Sequence, residues 1–282
     1  MNRTEQKKVL KAAVAAAQQA GALMRRNLRS PKVVKSHTQH DIKLELDVRC
    51  QALIERLLLA ALPASAFFGE EGMSGTAGSD HRWIVDPIDG TVNFSHGIPH
   101  SCVSIALQQA DKGSTPRAYE TTVGVVYDPF TDELWTAIRG EPARLNGRAI
   151  HVSTRTKLSE AMISAGFGNS EPSLNHMLLI FNHLAHRVRK LRIMGSAALA
   201  MTYVATGRFD AFVEAGVRLW DIAAGGLILE CAGGEFWHRP LPGDHAFEIR
   251  ANNGRIRPAL DKEIQPFSSA LDKQFTKNTY RP

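Results

Sequence analysis

Carboxylates, a glycine and a hydroxyl crowd one short stretch, Asp86-Pro87-Ile88-Asp89-Gly90-Thr91, directly after the apolar triplet Trp83-Ile84-Val85. The triplet reads as a buried strand, and Pro87 and Gly90 punctuate a turn at its end. Two carboxylates three residues apart on a rigid turn offer only oxygen ligands, the chemistry a hard cation such as Mg²⁺ requires. Gly90 has no side chain, so the N–H groups of Gly90 and Thr91 can approach an anion closely. Metal and phosphate chemistry are therefore expected to share this turn. A lone Asp-Pro or Asp-Gly pair is only a turn former; the joined string of strand, carboxylates, glycine and hydroxyl asks for more.

Two more carboxylates stand out. Glu70 lies in Gly69-Glu70-Glu71, after the short apolar segment Ala66–Gly69. Asp221 opens the apolar segment Trp220–Cys231, where a helix N-terminus stabilises a carboxylate and where, taken alone, it reads as a cap. Gathering Glu70, Asp86, Asp89 and Asp221 without cations costs on the order of several kcal/mol in repulsion and desolvation. Divalent ions remove that cost.

The elements that must position these groups follow from periodicity and punctuation. A first helix is expected from Thr4, as N-cap, to about Leu28, with Val9, Leu10, Ala13, Ala17, Ala20, Met24 and Leu28 at helical spacing. Residues 33–42 read as a loop or extended segment, and a second helix covers 43–62. Ala66–Gly69 is a short strand, and the Gly/Ser-rich segment 72–80 reads as a mobile loop and lid candidate. Strands are expected at 102–108, 122–127, 133–138, 161–166 and 211–214, with a hairpin turn at Asn146-Gly147. Helices are expected at 172–186, 197–206 and 220–231, an extended piece at 191–194, and a terminal helix beyond Arg255. Strands and helices are intermixed with hairpin joins, which argues for a mixed layered fold. No internal repeat is visible. The chain reads as a single domain over 1–282, with a faint boundary between two sub-regions near 140–155.

The 282 residues are 44% hydrophobic and 22% charged, an ordinary globular composition, with net charge +6. A basic balance permits a polyanionic partner, but no Lys/Arg block with interleaved aromatics is present, so a solvated surface is the expectation. Cys50, Cys102 and Cys231 show no C-x-x-C spacing, which fits neither a disulfide framework nor a zinc site and suits a reducing cytoplasm. No run approaches the length of a membrane span, and no signal-peptide core is evident.

The three segments Gly69-Glu70-Glu71, Trp83–Phe94 and Trp220–Gly225 resemble, in type, order and separation, the motifs of the inositol monophosphatase family of Mg²⁺-dependent phosphatases. The resemblance runs from about residue 35 to 234. It implies an α+β fold, a layered αβαβα sandwich, and two or three Mg²⁺ per site. It implies that Glu70, Asp86 and the Ile88 carbonyl hold one ion, that Asp86, Asp89 and Asp221 hold a second, and that some members bind a third near Glu70. By the same resemblance Glu70 and Thr91 orient the attacking water, and Asp47 hydrogen-bonds the threonine hydroxyl. Gly90 and Thr91 N–H groups receive the phosphate, and Gly195, Ser196, Ala197, Glu214, Asp89 and Asp221 meet the polyol. Lys35 matches a lysine near the family's active site. The segment Asp41–Asp47 departs from the family pattern in carrying Leu44 and Leu46, as does Gln51, where a glutamate is frequent. The implied activity is hydrolysis of inositol 1-phosphate, with homodimers and lithium inhibition common in the family. Fructose 1,6-bisphosphate, histidinol phosphate and nucleotide 3′-phosphates are the alternative esters. A regulatory protein that binds RNA or the transcription machinery is the reading of another class.

Overall fold

The computed structural model describes residues 1–37, 42–111, 113, 118–242 and 245–278. In chain order the strands are β1 (Val34–His37), β2 (Ile42–Leu44), β3 (Ala66–Gly69), β4 (Gly72–Gly75), β5 (His81–Asp89), β6 (Cys102–Ala110), β7 (Tyr119–Asp128), β8 (Glu133–Ile138), β9 (Arg144–Leu145), β10 (Arg148–Ala149), β11 (Met162–Ala165), β12 (Lys190–Arg192), β13 (Ala211–Arg218), β14 (Glu235–Pro240) and β15 (Ala246–Asn252). The helices are α1 (Arg3–Asn27), α2 (Glu45–Ala61), α3 (Thr91–Ser95), α4 (Glu171–Ala185), α5 (Ala197–Ala205), α6 (Leu219–Cys231) and α7 (Arg257–Asn278).

Among the described residues, two large sheets form. The first runs β10-β9-β8-β7-β6-β5-β3-β4 and the second β12-β11-β13-β15-β14. Side-chain alternation along β5 explains the layering. Trp83 and Val85 point into one apolar cluster with α1 and α2, whereas Ile84 points into another with α5 and α6. The cluster around α5 and α6 also takes Phe212, Val217, Ile249 and Ala251 of the second sheet. The far face of that sheet packs Ile163, Ala211 and Val213 against α4 and α7. The layers are therefore helix, sheet, helix, sheet, helix. The middle layer is apolar nearly all round, as a helix pair enclosed by two sheets must be.

Several boundaries differ from the sequence expectation for identifiable reasons. Asn2, not Thr4, caps α1, exchanging hydrogen bonds with Glu5 in a capping box. β5 does not stop at Val85. It continues to Asp89 through a bulge between Asp86 and Asp89, placed where Pro87 can donate no hydrogen bond. Residues 72–75 are not a free loop but β4, paired antiparallel with β3 at the sheet edge. Ile42–Leu44 is strand, and α2 begins at Glu45. β14 and β15 were not anticipated. Of residues 33–42, read as a loop or extended segment, Val34–His37 is extended as β1, while 38–41 lie outside the described residues. So do 279–282 of the terminal segment.

Candidate active site

Glu70 and Asp86 are brought together by strand pairing. β3 lies parallel to β5 with Gly69 opposite Val85, and the Glu70 N–H donates to the Val85 carbonyl at 3.1 Å. The residues that follow, Glu70 and Asp86, therefore emerge side by side. The bulge then swings Asp89 onto the same side, and Asp86 Oδ1 accepts the Ile88 N–H at 3.0 Å, fixing the turn. Gly90 follows with φ 94° as the N-cap of α3. A Cβ there would sit 3.0 Å from the His100 carbonyl oxygen and 3.1 Å from that of Gly195, so the position admits only glycine without rearrangement.

Asp221 arrives from the middle layer. It occupies the first turn of α6, and its Oδ2 accepts the Arg218 N–H at 2.7 Å. Ser104 of β6 donates to the Trp220 carbonyl at 3.0 Å, docking this helix end on the first sheet. One carboxylate oxygen from each of Asp86, Asp89 and Asp221 lies within 4.8 Å of the others. Glu70, Glu214, Thr91 and Asp47 line the same cleft, of about 790 Å³.

Electrostatics make the cost of this convergence visible. Burial, then the neighbouring Asp221, Asp47 and Glu71, pushes the Glu70 carboxyl well above its usual range. Burial, then Glu70, Asp89 and Asp221, does the same to Asp86. Asp221 is pushed up to about 7, first by burial and then by Asp89. Glu214 is pushed well up by burial, with Asp221 and Asp89 adding to it. Asp89 is raised less, because burial is opposed by four donors. Ser196 Oγ and Ala198 N donate to its Oδ2 at 2.5 and 2.8 Å, Cys102 Sγ approaches at 3.6 Å, and Ala197 N donates to Oδ1 at 3.2 Å. An all-oxygen donor set with more carboxylates than its burial lets ionise fits hard divalent cations, which supply the missing positive charge.

The remaining expected residues sort by position. Thr91 Oγ1 donates to the Ile88 carbonyl at 2.8 Å. Asp47, in the first turn of α2, accepts the Leu44 N–H at 2.6 Å, and the Thr91 hydroxyl goes to Ile88 and not, as expected, to Asp47. Glu214 sits on β13, where Gly166 of the adjoining segment makes room: a Cβ there would lie 1.9 Å from Glu214 Oε2. Gly195 and Ala197 line the cleft wall. Ser196 is buried and gives its hydroxyl to Asp89, so its main contact is with a carboxylate of the site. Lys35 is exposed on β1, and Lys43, not Lys35, lines the cleft, paired with Glu71.

Sequence reasoning missed three contributors. Gln51 Oε1 accepts the Glu71 N–H at 2.9 Å and so shapes the turn that carries Glu70. Cys102 sits against Asp89, and Asn93 joins two distant loops. Asn93 lies inside the stretch that opened the sequence analysis, and a polar residue in the first turn of a short helix was a signal for a tertiary bond.

The comparisons with known proteins identify the family. A sequence model of the inositol monophosphatase family matches residues 5–256. An inositol-1-monophosphatase of Rhizobium meliloti is 42% identical over 236 residues, 80% of this chain and 83% of its own. The Nus factor SuhB of Pseudomonas aeruginosa is 38% identical over 270 residues, 92% of this chain and 96% of its own. The crystal structure of the extragenic suppressor protein suhB of Bartonella henselae superposes with a TM-score of 0.81 at 34% identity, covering 91% of this chain and 98% of its own. The inositol monophosphatase of Anabaena gives 0.78 at 32% identity, covering 92% and 96%. The fold is that of a phosphatase class, and the chain belongs to the inositol monophosphatase family. Among the described residues no helix is long and apolar enough to cross a membrane.

Proposed function

We propose that this chain hydrolyses a phosphate monoester in a Mg²⁺-dependent reaction, with inositol 1-phosphate as the preferred substrate. The observation that carries the reading is the convergence of Asp86, Asp89 and Asp221 oxygens within 4.8 Å, in a cleft that Glu70 and Glu214 also line. Glu70, Asp86 and the Ile88 carbonyl would hold one cation, and Asp86, Asp89 and Asp221 a second. When bound, Mg²⁺ supplies charge neutralisation and a more acidic water at neutral pH.

The chain's own groups do the rest. Glu70 accepts the proton of the attacking water. Thr91 gives its hydroxyl hydrogen to Ile88, which leaves its oxygen free to accept a hydrogen bond from that water and orient it. The N–H groups of Gly90 and Thr91, at the start of α3, receive phosphate oxygens. Glu214 accepts hydrogen bonds from polyol hydroxyls, and Asp47 lines the cleft from the start of α2 and adds its charge to that around Glu70. A covalent phosphoenzyme is not part of this reading: burial pushes the Cys102 thiol well up, keeping it protonated, and the Ser196 hydroxyl is committed to Asp89. Positioning and charge account for the catalysis.

Phosphate release from a panel of inositol 1-phosphate, fructose 1,6-bisphosphate, histidinol phosphate and a nucleotide 3′-phosphate, in Mg²⁺ and in EDTA, tests the reading. Metal-dependent release fastest with inositol 1-phosphate is expected. Release fastest with another ester reassigns the substrate, and no metal-dependent release from any of them defeats the proposal. A regulatory reading in the transcription machinery rests on relatives named Nus factor SuhB. It would gain if a catalytically dead Asp86→Asn variant still complemented a knockout.

A further inference from the structure

We infer that Asn93 is a positioning residue for the Asp89 half of the cation site; the inference rests on the metal-dependent reading proposed above. Its Nδ2 donates to the His100 carbonyl at 2.9 Å and the Met194 carbonyl at 2.8 Å, and lies 3.4 Å from the Gly195 carbonyl. A side-chain amide has two hydrogens, so two of these are full bonds and the third is shared. The acceptors belong to segments far apart in sequence. His100 leads into β6, whereas Met194 and Gly195 connect β12 to α5.

The consequence lies one residue further on. Ser196 caps α5 and, with the Ala197 and Ala198 N–H groups, supplies three of the donors that hold Asp89. The segment that carries those donors is pinned to α3 by Asn93, and α3 starts directly after Asp89 and Gly90. Asn93 thus closes a ring: Asp89, Gly90, α3, the Asn93 amide, Met194-Gly195, the α5 N-terminus, and back to Asp89. Partners that hold a ligand's carboxylate in this way fix its orientation without touching the metal. The same bond sets the cleft wall formed by Ile193, Met194 and Gly195.

Calorimetric titration of Mn²⁺ into the full chain and into Asn93→Ala and Asn93→Leu, with kcat measured at low and at saturating Mn²⁺, tests this. Wild type is expected to bind one ion more tightly through Glu70 and Asp86 and another through Asp89 and Asp221. Both variants are expected to weaken the second by about 10- to 100-fold, to leave the first within a fewfold, and to recover kcat at saturating metal. Leucine fills the space of asparagine without donating. A role in packing alone would therefore let Leu rescue what Ala loses, and that result overturns the inference. Mn²⁺ binding unchanged in both variants also overturns it, while leaving the proposed function standing. Absence of binding to wild type overturns the proposed function itself. If Asn93→Ala does not fold, Asn93→Ser serves in its place, because the shorter hydroxyl cannot reach both the His100 and the Met194 carbonyls.

Discussion

Raising the pH of the metal-free protein is expected to destabilise it, and Mg²⁺ is expected to cancel the effect. Asp221 is raised from 3.8 to about 7 by burial and by Asp89. In the unfolded chain it ionises near its ordinary value, so between those limits the native state binds more protons than the unfolded state. Stability is then fully present below about pH 4 and is lost as pH rises through about 7. At about 1.4 kcal/mol per pKa unit, Asp221 alone removes about 4 kcal/mol. Glu70, Asp86 and Glu214 are raised in the same direction and extend the loss upward. A domain with a total stability of about 5–15 kcal/mol cannot absorb this unnoticed. About two of those roughly three units fall between pH 5 and pH 7, roughly 3 kcal/mol, so with roughly 2 °C per kcal/mol for a chain of this size Tm in EDTA should fall by about 6 °C or more between pH 5 and pH 8. His81, His100 and His238 are pushed down by burial and give the opposite slope toward pH 6.5. His81 and His238 face none of the cation-site carboxylates and His100 feels only Asp89 among them, so the difference between melts with Mg²⁺ and with EDTA reads mainly the carboxylates. Scanning calorimetry across that pH range should show the Mg²⁺ stabilisation growing steadily with pH. A Mg²⁺ effect that is flat with pH, or largest at pH 5, would refute the reasoning.

Asp89→Asn should abolish Mg²⁺-dependent phosphate release. It should also cost about 1–3 kcal/mol in a urea melt, because its amide must set a donor against the Ala197 N–H or the donors around Oδ2. Gly166→Ala, whose Cβ would collide with the Glu214 carboxylate, should raise KM for a polyol phosphate while the Mg²⁺ dependence stays as in wild type; steady-state kinetics read both. Glu248, behind the second sheet, has its carboxyl pulled down to about 2 despite burial, by His176, Arg239 and Arg250. Glu248→Ala should therefore cost about 1–3 kcal/mol at neutral pH by removing the buried carboxylate that His176, Arg239 and Arg250 share, Arg250 keeping Asp261, with kcat per folded molecule unchanged. The stability Glu248 contributes is present above about pH 4.5 and lost as pH falls toward 2.

Much of this was legible because local chemistry and tertiary role coincide. The chain from Trp83 to Thr91 announces a buried strand and a carboxylate turn, and both are there. Hairpins such as Tyr119–Asp128 with Glu133–Ile138 follow from turn residues alone. What stayed hidden depends on partners far away in sequence. β14 carries exposed and half-buried side chains and pairs with β15 at a sheet edge, so its alternation is weak. The Gly72–Gly75 segment has strand geometry only because β3 is beside it. Residue types alone do not show that the Ser196 hydroxyl is given to Asp89, 107 residues earlier. That Asp47 bonds its own helix start through Leu44 is likewise a matter of local geometry that residue types do not specify.

The sharpest test is a crystal grown or soaked in Mn²⁺ and measured at the manganese edge. The account predicts anomalous peaks among the Asp86, Asp89 and Asp221 oxygens and beside Glu70, lost from the former position in Asp89→Asn. A cleft free of manganese at millimolar concentration, with the carboxylates still clustered, would contradict it.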